Sequence, residues 1–535
     1  MTSGWNYADV WEAVAERFAD EPAMIHGQRR ISWREFDERA NGVARSLLDA
    51  GLQRQDKVAQ YLRNRPEYME SMFAIFKAGL APVNTNYRYG DDELTYLWDN
   101  CDAAAVVFDA EFTDVCTRLR ATLPDIRYWL RIGDEQACPD WAFPYEHAAT
   151  SHPGRVVAKW GRSGDDLYLL YTGGTTGMPK GVMWRQDDLF RALEAQQGNE
   201  TTDVADPAGF VAQLTRPGMR AVPAPPLMHG AACWFILPIL CRGGAAVTLT
   251  SPSFDAVELL DTMVAARVLA LCIVGEAFAR PVLRELEADP ARWDLSMLRV
   301  VVSSGAMLSQ ESKMRLLKFA PRARIFDGLG TSESGSLGTT VTSENSKEAT
   351  ARFKLSPNAR VVDESGRDVV PGSGQAGRLA VGGFIPLGYY GDPDKTAATF
   401  VELGGQRYVI AGDWAEVDEQ GMITLLGRGS SCINTAGEKV YPEEVEEVLK
   451  QAASVRDAAV VGVPDERFGE KIVALVEPED GSVVEEAALI AHVKQRLAAY
   501  KAPRQIIARD SLERGPNGKL DHRRLRQIAL DTTTT

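Results

Sequence analysis

This chain lacks the cysteine spacings of a metal site or a redox couple. Its seven cysteines stand at 101, 116, 138, 233, 241, 272 and 432, with no Cys-x-x-Cys pair and no Cys/His cluster suited to zinc. Reduced thiols buried in a core are the expected state, which points to a cytoplasmic protein. Positive charge is also scarce. Lys and Arg number 59 against 74 Asp and Glu, a net charge of −15. That balance disfavours nucleic acid and anionic membrane surfaces as partners. No uninterrupted apolar run reaches the roughly 20 residues needed to span a bilayer, so no transmembrane segment is expected. Met1 to Asp20 mixes apolar and acidic residues without the basic-then-apolar order of a secretory signal. Asp531 to Thr535 carries no peroxisomal address. No internal repeat is visible, and no Gly-Lys-Ser/Thr follows a glycine-rich loop, which excludes the common P-loop of nucleotidases.

What is present is ordinary in bulk and unusual in one stretch. At 535 residues the chain is too long for a single core. Hydrophobic content of 45% and charged content of 25% fit a soluble globular protein. Apolar positions at helical spacing mark Val10 to Phe18. Ser32, three residues before Glu35, reads as a capping box that opens a helix running to about Ala50. Lys57 to Leu62 reads as a strand, Pro66 to Gly79 and Asp91 to Asn100 as helices, and Ala103 to Phe108 as a buried strand. This alternation argues for α/β architecture, with mostly parallel sheets covered by helices. Gly198 to Gly218 is polar and aperiodic, and is expected to be a mobile insertion.

The unusual stretch is Tyr171-Thr-Gly-Gly-Thr-Thr-Gly-Met-Pro-Lys-Gly-Val182, which follows the apolar run from Leu167. Four glycines let the main chain curl round an anion without Cβ clashes, and the hydroxyls of Thr172, Thr175 and Thr176 can donate to phosphate oxygens. Lys180 adds a full positive charge. Twelve residues of this composition favour a phosphate cradle over a bland Gly/Thr hairpin.

The stretch resembles the signature loop of the acyl-adenylate-forming enzymes, which include acyl-CoA synthetases, firefly luciferases and peptide-synthetase adenylation domains. The resemblance runs from about Trp5 to Leu520 through six motifs in the family's order. It implies that Thr172, Gly173, Gly174, Thr175, Thr176, Gly177 and Lys180 bind the phosphates of ATP. In Pro-Pro-Leu-Met-His229 it places His229 between an acyl pocket and a thiol tunnel. Gly305 and Ala306 would face adenine, in a turn where this chain has Met307 in place of a common proline. The run Asp327-Gly-Leu-Gly-Thr-Ser-Glu333 would line the nucleotide: Asp327, Gly328 and Leu329 at the base, Ser332 at a phosphate, and Glu333 at Mg²⁺. Leu329 stands where many relatives stack a tyrosine. Asp413 would accept both ribose hydroxyls, since one carboxylate offers two oxygens to a vicinal diol, and Arg428 would donate nearby.

The resemblance also implies a boundary. Residues 1–429 would form a large amino-terminal domain, with mostly parallel sheets and a small β region, that binds ATP and the acyl group. Residues 430–535 would form a small mobile α+β domain. The hinge falls on Ser430, where relatives carry Asp or Lys. Gly437, Glu438 and Lys439 would border coenzyme A. Lys519, between Gly518 and Leu520, would be the lysine that swings over the site during adenylation. Lys519, His229 and Glu333 are thus the expected catalytic residues, and Glu333 the one expected metal ligand. The acyl pocket is expected at His229, Ala232, Cys233 and Gly305, where small apolar residues and the lack of Asp or Lys suit a fatty or bulky alicyclic acid.

The implied reaction joins a carboxylic acid to coenzyme A through acyl-AMP, with ATP, Mg²⁺ and coenzyme A as cofactors. The wording of two motifs also resembles actinobacterial synthetases for fatty and steroid side-chain acids. Three rivals remain: a carrier-loading adenylation domain, a luciferase-like oxygenase, and a non-catalytic nucleotide-binding module. Lys519, Glu333 and Asp413 together speak against the last. A homodimer is the assembly considered; the sequence does not set it.

Overall fold

The computed structural model describes residues 4–172, 178–196, 206–306, 308–344, 352–428, 433–435, 438–465, 469–497, 499–515 and 520–533. These form two compact units. The first comprises Met1–Ser336, Val341–Lys347 and Gly382–Val401. The second comprises Leu337–Thr340, Glu348–Val381 and Glu402–Thr535.

The first unit is built on two mostly parallel sheets. In one, the strands Pro22–His26, Ala245–Thr248, Arg220–Pro223, Ala270–Ile273, Val300–Ser304 and Arg324–Thr331 lie side by side and parallel. Among them Ala245–Thr248 and Ala270–Ile273 are short, mainly apolar runs buried along their whole length, the pattern of strands covered on both faces. Helices Ala256–Ala265 and Gly275–Ala288 bury Leu259, Leu260, Met263, Phe278 and Val282 in the core that includes Leu271, Val301 and Ile325. The other sheet runs in the order Gly388–Tyr389, Lys180–Arg185, Leu167–Thr172, Ala81–Asn84, Lys57–Tyr61, Ala103–Asp109, Tyr128–Ile132, Phe143–Pro144. Its core gathers Trp98, Phe108, Trp129 and Tyr171.

The local reasons for these elements are visible in the chain. The helix Trp33–Asp49 opens at Ser32, whose Oγ accepts the Glu35 backbone N–H at 3.2 Å. Pro66 opens the next helix, Pro66–Lys77, where its missing N–H costs nothing. The expected insertion is partly regular. Asp206 caps a short helix, Pro207–Ala212, by accepting the Gly209 N–H at 2.7 Å. Phe210 from that helix packs edge-on against Trp5 and Phe190. Two aromatic partners buried from outside the segment hold a stretch whose own periodicity is weak. Residues 197–205 lie outside the described residues.

The second unit contains antiparallel strands Arg352–Leu355, Met422–Arg428, Asp413–Val417 and Ala376–Val381. It also contains an α+β region. There Val455–Asp465 and Gly469–Pro478 form a long hairpin, Gln505–Ala508 pairs parallel to it, and the helices Pro442–Lys450 and Glu486–Lys494 lie in one core with it. Six cysteines of the described residues are free, and all but Cys138 are buried.

Candidate active site

The carboxyl ends of the parallel strands carry most of the sequence-derived candidates of the first unit. In open α/β sheets this edge is where ligands bind. Register aligns Ile273 with Ser303 and Ser304 with Gly328, so the turn after Ser304 and the strand through Asp327, Gly328 and Leu329 emerge together. Gly305 has φ +87°, and a Cβ there would meet nothing closer than Val274 Cγ1 at 3.8 Å. Backbone in the left-handed region with open space beside it admits a flat group closely. Ala306 is half-buried and packs on the core behind. The Asp327 carboxylate forms an ion pair with the nearly buried Lys313, so it already has a cation inside the protein. Leu329 is half-buried.

Ser332 and Glu333 occupy the tight turn between the strands Arg324–Thr331 and Gly335–Thr342. Thr331 and Ser334 close that turn through reciprocal backbone-to-hydroxyl hydrogen bonds of 3.1 Å. The Trp184 indole N–H donates to the Ser332 carbonyl at 3.0 Å and fixes the turn from the second sheet. Glu333 is half-buried, and its Oε1 accepts the Tyr389 hydroxyl at 2.9 Å.

The signature loop is a hairpin whose two legs are described. Thr172 ends the strand Leu167–Thr172 and pairs with Lys180, the first residue of Lys180–Arg185. A Cβ at Gly181 would lie 2.5 Å from the Tyr171 ring, which is why glycine follows Lys180. Asn84 anchors the strand. Its Oδ1 accepts the Tyr171 N–H at 2.6 Å, while its Nδ2 donates to the carbonyls of Tyr171 at 2.9 Å and Met228 at 2.7 Å. One side chain thereby ties the strand that enters the signature loop to the turn before His229. Gly173, Gly174, Thr175, Thr176 and Gly177 lie outside the described residues.

Lys180 points toward Glu333 by way of a residue that the sequence reading did not single out. Its Nζ lies 5.5 Å from the centre of the Tyr389 ring, whose hydroxyl holds Glu333. Burial and the neighbouring Lys395 ammonium push the Lys180 pKa down to about 8, against the opposing pull of Glu333 and Asp392. Tyr389 stands in a Gly-Tyr-Tyr stretch, and nothing local in the sequence signals its reach to Glu333.

His229 is the N-cap residue of the helix Gly230–Cys241 and makes no side-chain cap bond. Its carbonyl accepts the N–H groups of Ala232 and Cys233 at 3.1 Å. Ala232 and Cys233 are fully buried, and the Tyr168 hydroxyl donates to Cys233 Sγ at 3.6 Å. Burial pushes the Cys233 thiol up to about 12. Ala231 and Trp234, on another side of the helix, are half-buried, and Trp234 meets Trp184 edge-on at 5.6 Å. This tryptophan pair was also missed by sequence reasoning.

In the second unit, Asp413 is buried at the start of its strand and faces Arg428 across the ladder. Glu438 and Lys439 belong to the short strand Glu438–Val440. Ser430, Gly437 and Lys519 lie outside the described residues.

Comparison with known proteins agrees with this geometry. The model of the AMP-binding enzyme family matches residues 11–390, and that of the AMP-binding enzyme C-terminal domain matches 444–519. A medium/long-chain-fatty-acid–CoA/3-oxocholest-4-en-26-oate–CoA ligase of Mycolicibacterium smegmatis is 40% identical over 97% of this chain and 95% of its own length. A 3-oxocholest-4-en-26-oate–CoA ligase of Rhodococcus rhodochrous is 38% identical over 97% and 95%. Among solved structures, the anthranilate CoA ligase AuaEII in complex with anthranoyl-AMP shares the fold, with a TM-score of 0.85 over 99% of this chain and 98% of that one, at 23% identity. With a matching family model over most of its length and ligases similar to it end to end, the chain belongs to the AMP-binding enzyme family, as an AMP-forming acyl-CoA synthetase.

Proposed function

We propose that this synthetase activates fatty or steroid side-chain carboxylic acids, through the division of labour set out below. The observation that carries the substrate class is the 40% identity, end to end, to a ligase named for those acids. The helix Gly230–Cys241 supports it: the segment Gly-Ala-Ala-Cys-Trp-Phe-Ile-Leu-Pro-Ile-Leu-Cys holds no charged residue. An acid with a second carboxyl or an amino group would find no countercharge on it.

In the first half-reaction the substrate carboxylate attacks the α-phosphorus of ATP and pyrophosphate leaves. Charge builds on the phosphate oxygens, so positioned hydroxyls and cations lower the barrier electrostatically, and no protein nucleophile is required. Thr172 and Lys180 act on the phosphates with the loop between them, and Ser332 adds a hydroxyl. Gly305 and Ala306, with Gly328 and Leu329, hold the base. Asp413 takes the ribose diol, with Arg428 beside it. A divalent magnesium ion fits Glu333: Oε1 accepts one hydrogen bond, and Oε2 remains for a hard cation. Among the described residues no cluster of three or more His, Cys, Asp or Glu could hold a metal alone, so substrate phosphates would complete the shell. The ion would neutralise phosphate charge there.

In the second half-reaction the coenzyme A thiol attacks the acyl carbonyl and AMP leaves. His229 borders the thiol path, and Gly437, Glu438 and Lys439 receive the pantetheine arm. Residues 430–535 act as the mobile domain, pivoting at Ser430 and carrying Lys519 toward ATP in the first half only. A cytoplasmic location and a homodimer accompany this reading. A panel of fatty, steroid side-chain, aromatic and dicarboxylic acids, scored by AMP release with and without coenzyme A, tests it. Preference for aromatic or dicarboxylic acids would reject the substrate class, and AMP release unaffected by coenzyme A would reject the thioester step.

A further inference from the structure

Lys180 has a second lysine beside it. The Lys395 ammonium is near enough to help depress the Lys180 pKa, and the helix that carries Lys395 is fastened to the strand pairing with the Lys180 strand. Neither forms an ion pair among the described residues. Glu333 is engaged by Tyr389, and Asp392 Oδ1 accepts the Lys395 backbone N–H at 3.0 Å. Two like charges held together, which Glu333 and Asp392 offset only in part, cost free energy, so the fold must impose the arrangement.

The imposition can be traced. Tyr389 pairs with Val182 and Gly388 with Met183, directly beside the start of the Lys180 strand. The Tyr390 N–H donates to the Gly181 carbonyl at 2.8 Å. Lys395 belongs to the short helix Pro393–Thr399, capped by Asp392. That helix is clamped onto the strand. Thr396 Oγ1 accepts the Tyr389 N–H at 2.9 Å, and a Cβ at Gly388 would fall 2.4 Å from Thr396 Cγ2. Only glycine permits that approach. Lys395 is exposed, and the clamp holds the helix that carries it against the strand beside Lys180.

We propose that Lys395 is a second phosphate-binding cation, which pairs with Lys180 to hold the β- and γ-phosphates of ATP and then the pyrophosphate that leaves. The proposal rests on the phosphate role given to Lys180 above. In the step concerned, a carboxylate oxygen bonds to the α-phosphorus while the bond from that phosphorus to the α,β-bridging oxygen breaks. The electron pair departs on pyrophosphate, which gains a negative charge at its new terminal oxygen. A pair of ammonium groups matches that dispersed charge better than one, and each charge-assisted hydrogen bond adds to it. An ordinary solvated surface lysine would do none of this.

The test uses the full-length enzyme and its Lys395→Ala and Lys395→Arg variants. Calorimetry with magnesium pyrophosphate measures binding without turnover. Pyrophosphate inhibition of acyl-AMP formation and the KM for ATP are measured beside it. We expect Lys395→Ala to weaken pyrophosphate binding and raise the ATP KM, each about tenfold, the scale of one hydrogen bond to a charged group. The KM for the acid and thioester formation from presynthesised acyl-AMP should not change, and Lys395→Arg should recover most of the loss. Unaltered pyrophosphate binding overturns the proposal, as does a loss for ATP alone. Equal losses in both half-reactions, or failure of arginine to rescue, would make Lys395 merely structural. Because the calorimetric arm needs no turnover, it decides on Lys395 even if the acid panel rejects the ligase reading.

Discussion

At the residue scale, the phosphate role proposed for Lys180 makes its protonation testable. Burial and Lys395 lower its pKa to about 8 in the free enzyme, so its charge is present below that pH and lost as pH rises through it. The phosphates of ATP are already ionised in this range, so the lysine sets the dependence. We predict that kcat/KM for ATP falls above about pH 8 along a single-proton limb. In Lys395→Ala the limb should move toward the ordinary lysine range, because one of the two depressing influences is gone. A pH profile without that movement would separate the limb from Lys180. His229 makes a second prediction. It caps no N–H with its side chain, so His229→Ala should leave the helix Gly230–Cys241 intact. Thioester formation should then slow more than acyl-AMP formation in separate half-reaction assays. Equal slowing would mark the histidine as structural.

At the element scale, the first helix, Tyr7–Arg17, is fastened by one carboxylate. Glu12 accepts from Lys77 at 2.6 Å, from both terminal nitrogens of Arg162 at 2.7 and 2.8 Å, and from Arg155 at 2.9 Å. Burial raises its pKa, but Arg162 and Lys77 outweigh burial and bring it down to about 2. A depressed carboxylate stabilises fully above its unfolded pKa, and that contribution is lost as pH falls from 4.5 toward 2. The shift corresponds to about 3 kcal/mol. Glu12→Gln should destabilise the first unit by a similar amount at neutral pH, since it strips countercharge from the fully buried Lys77. It should leave the ATP KM alone. Much at this scale was legible in the chain. Short apolar strands, Ser32 before Glu35 and Pro66 at a helix start are local signals, and each marks an element within a residue or two. The turns proposed to face the nucleotide stood out as motifs, because glycine and hydroxyl residues at fixed spacing suit a backbone that meets phosphate. The side chains that orient those turns did not. Asn84, Trp184, Tyr389 and Lys395 act on residues far along the chain, and no periodicity encodes a contact between Tyr389 and Glu333. The helix Pro207–Ala212 was hidden for the same reason, since its stabilising partners Trp5 and Phe190 lie elsewhere in the sequence.

At the scale of the whole molecule, the proposed rotation of residues 430–535 assigns Lys519 to one half-reaction. Lys519→Ala should slow acyl-AMP formation by about 10²-fold or more, the scale of losing one preorganised electrostatic contact. Thioester formation from presynthesised acyl-AMP should stay near wild type. A variant slowed equally in both halves, or in neither, would refute the rotation. Site-resolved thiol labelling offers a way to watch the first unit, with Cys432 falling in the second. All six described cysteines belong to the first unit, and five are buried. Burial also pushes the thiols of Cys233 and Cys272 up to about 12, so little reactive thiolate forms at neutral pH. A thiol reagent would therefore modify these sites only when that unit opens, and the rate becomes a clock for its excursions. Cys233 and Cys241 lie on the helix proposed to border the acyl group, and Cys272 Sγ is 3.6 Å from the Ala231 carbonyl at its start. A well-fitting acid would slow the clock at these three and leave Cys101 and Cys116, buried in the other sheet's core, keeping their own time.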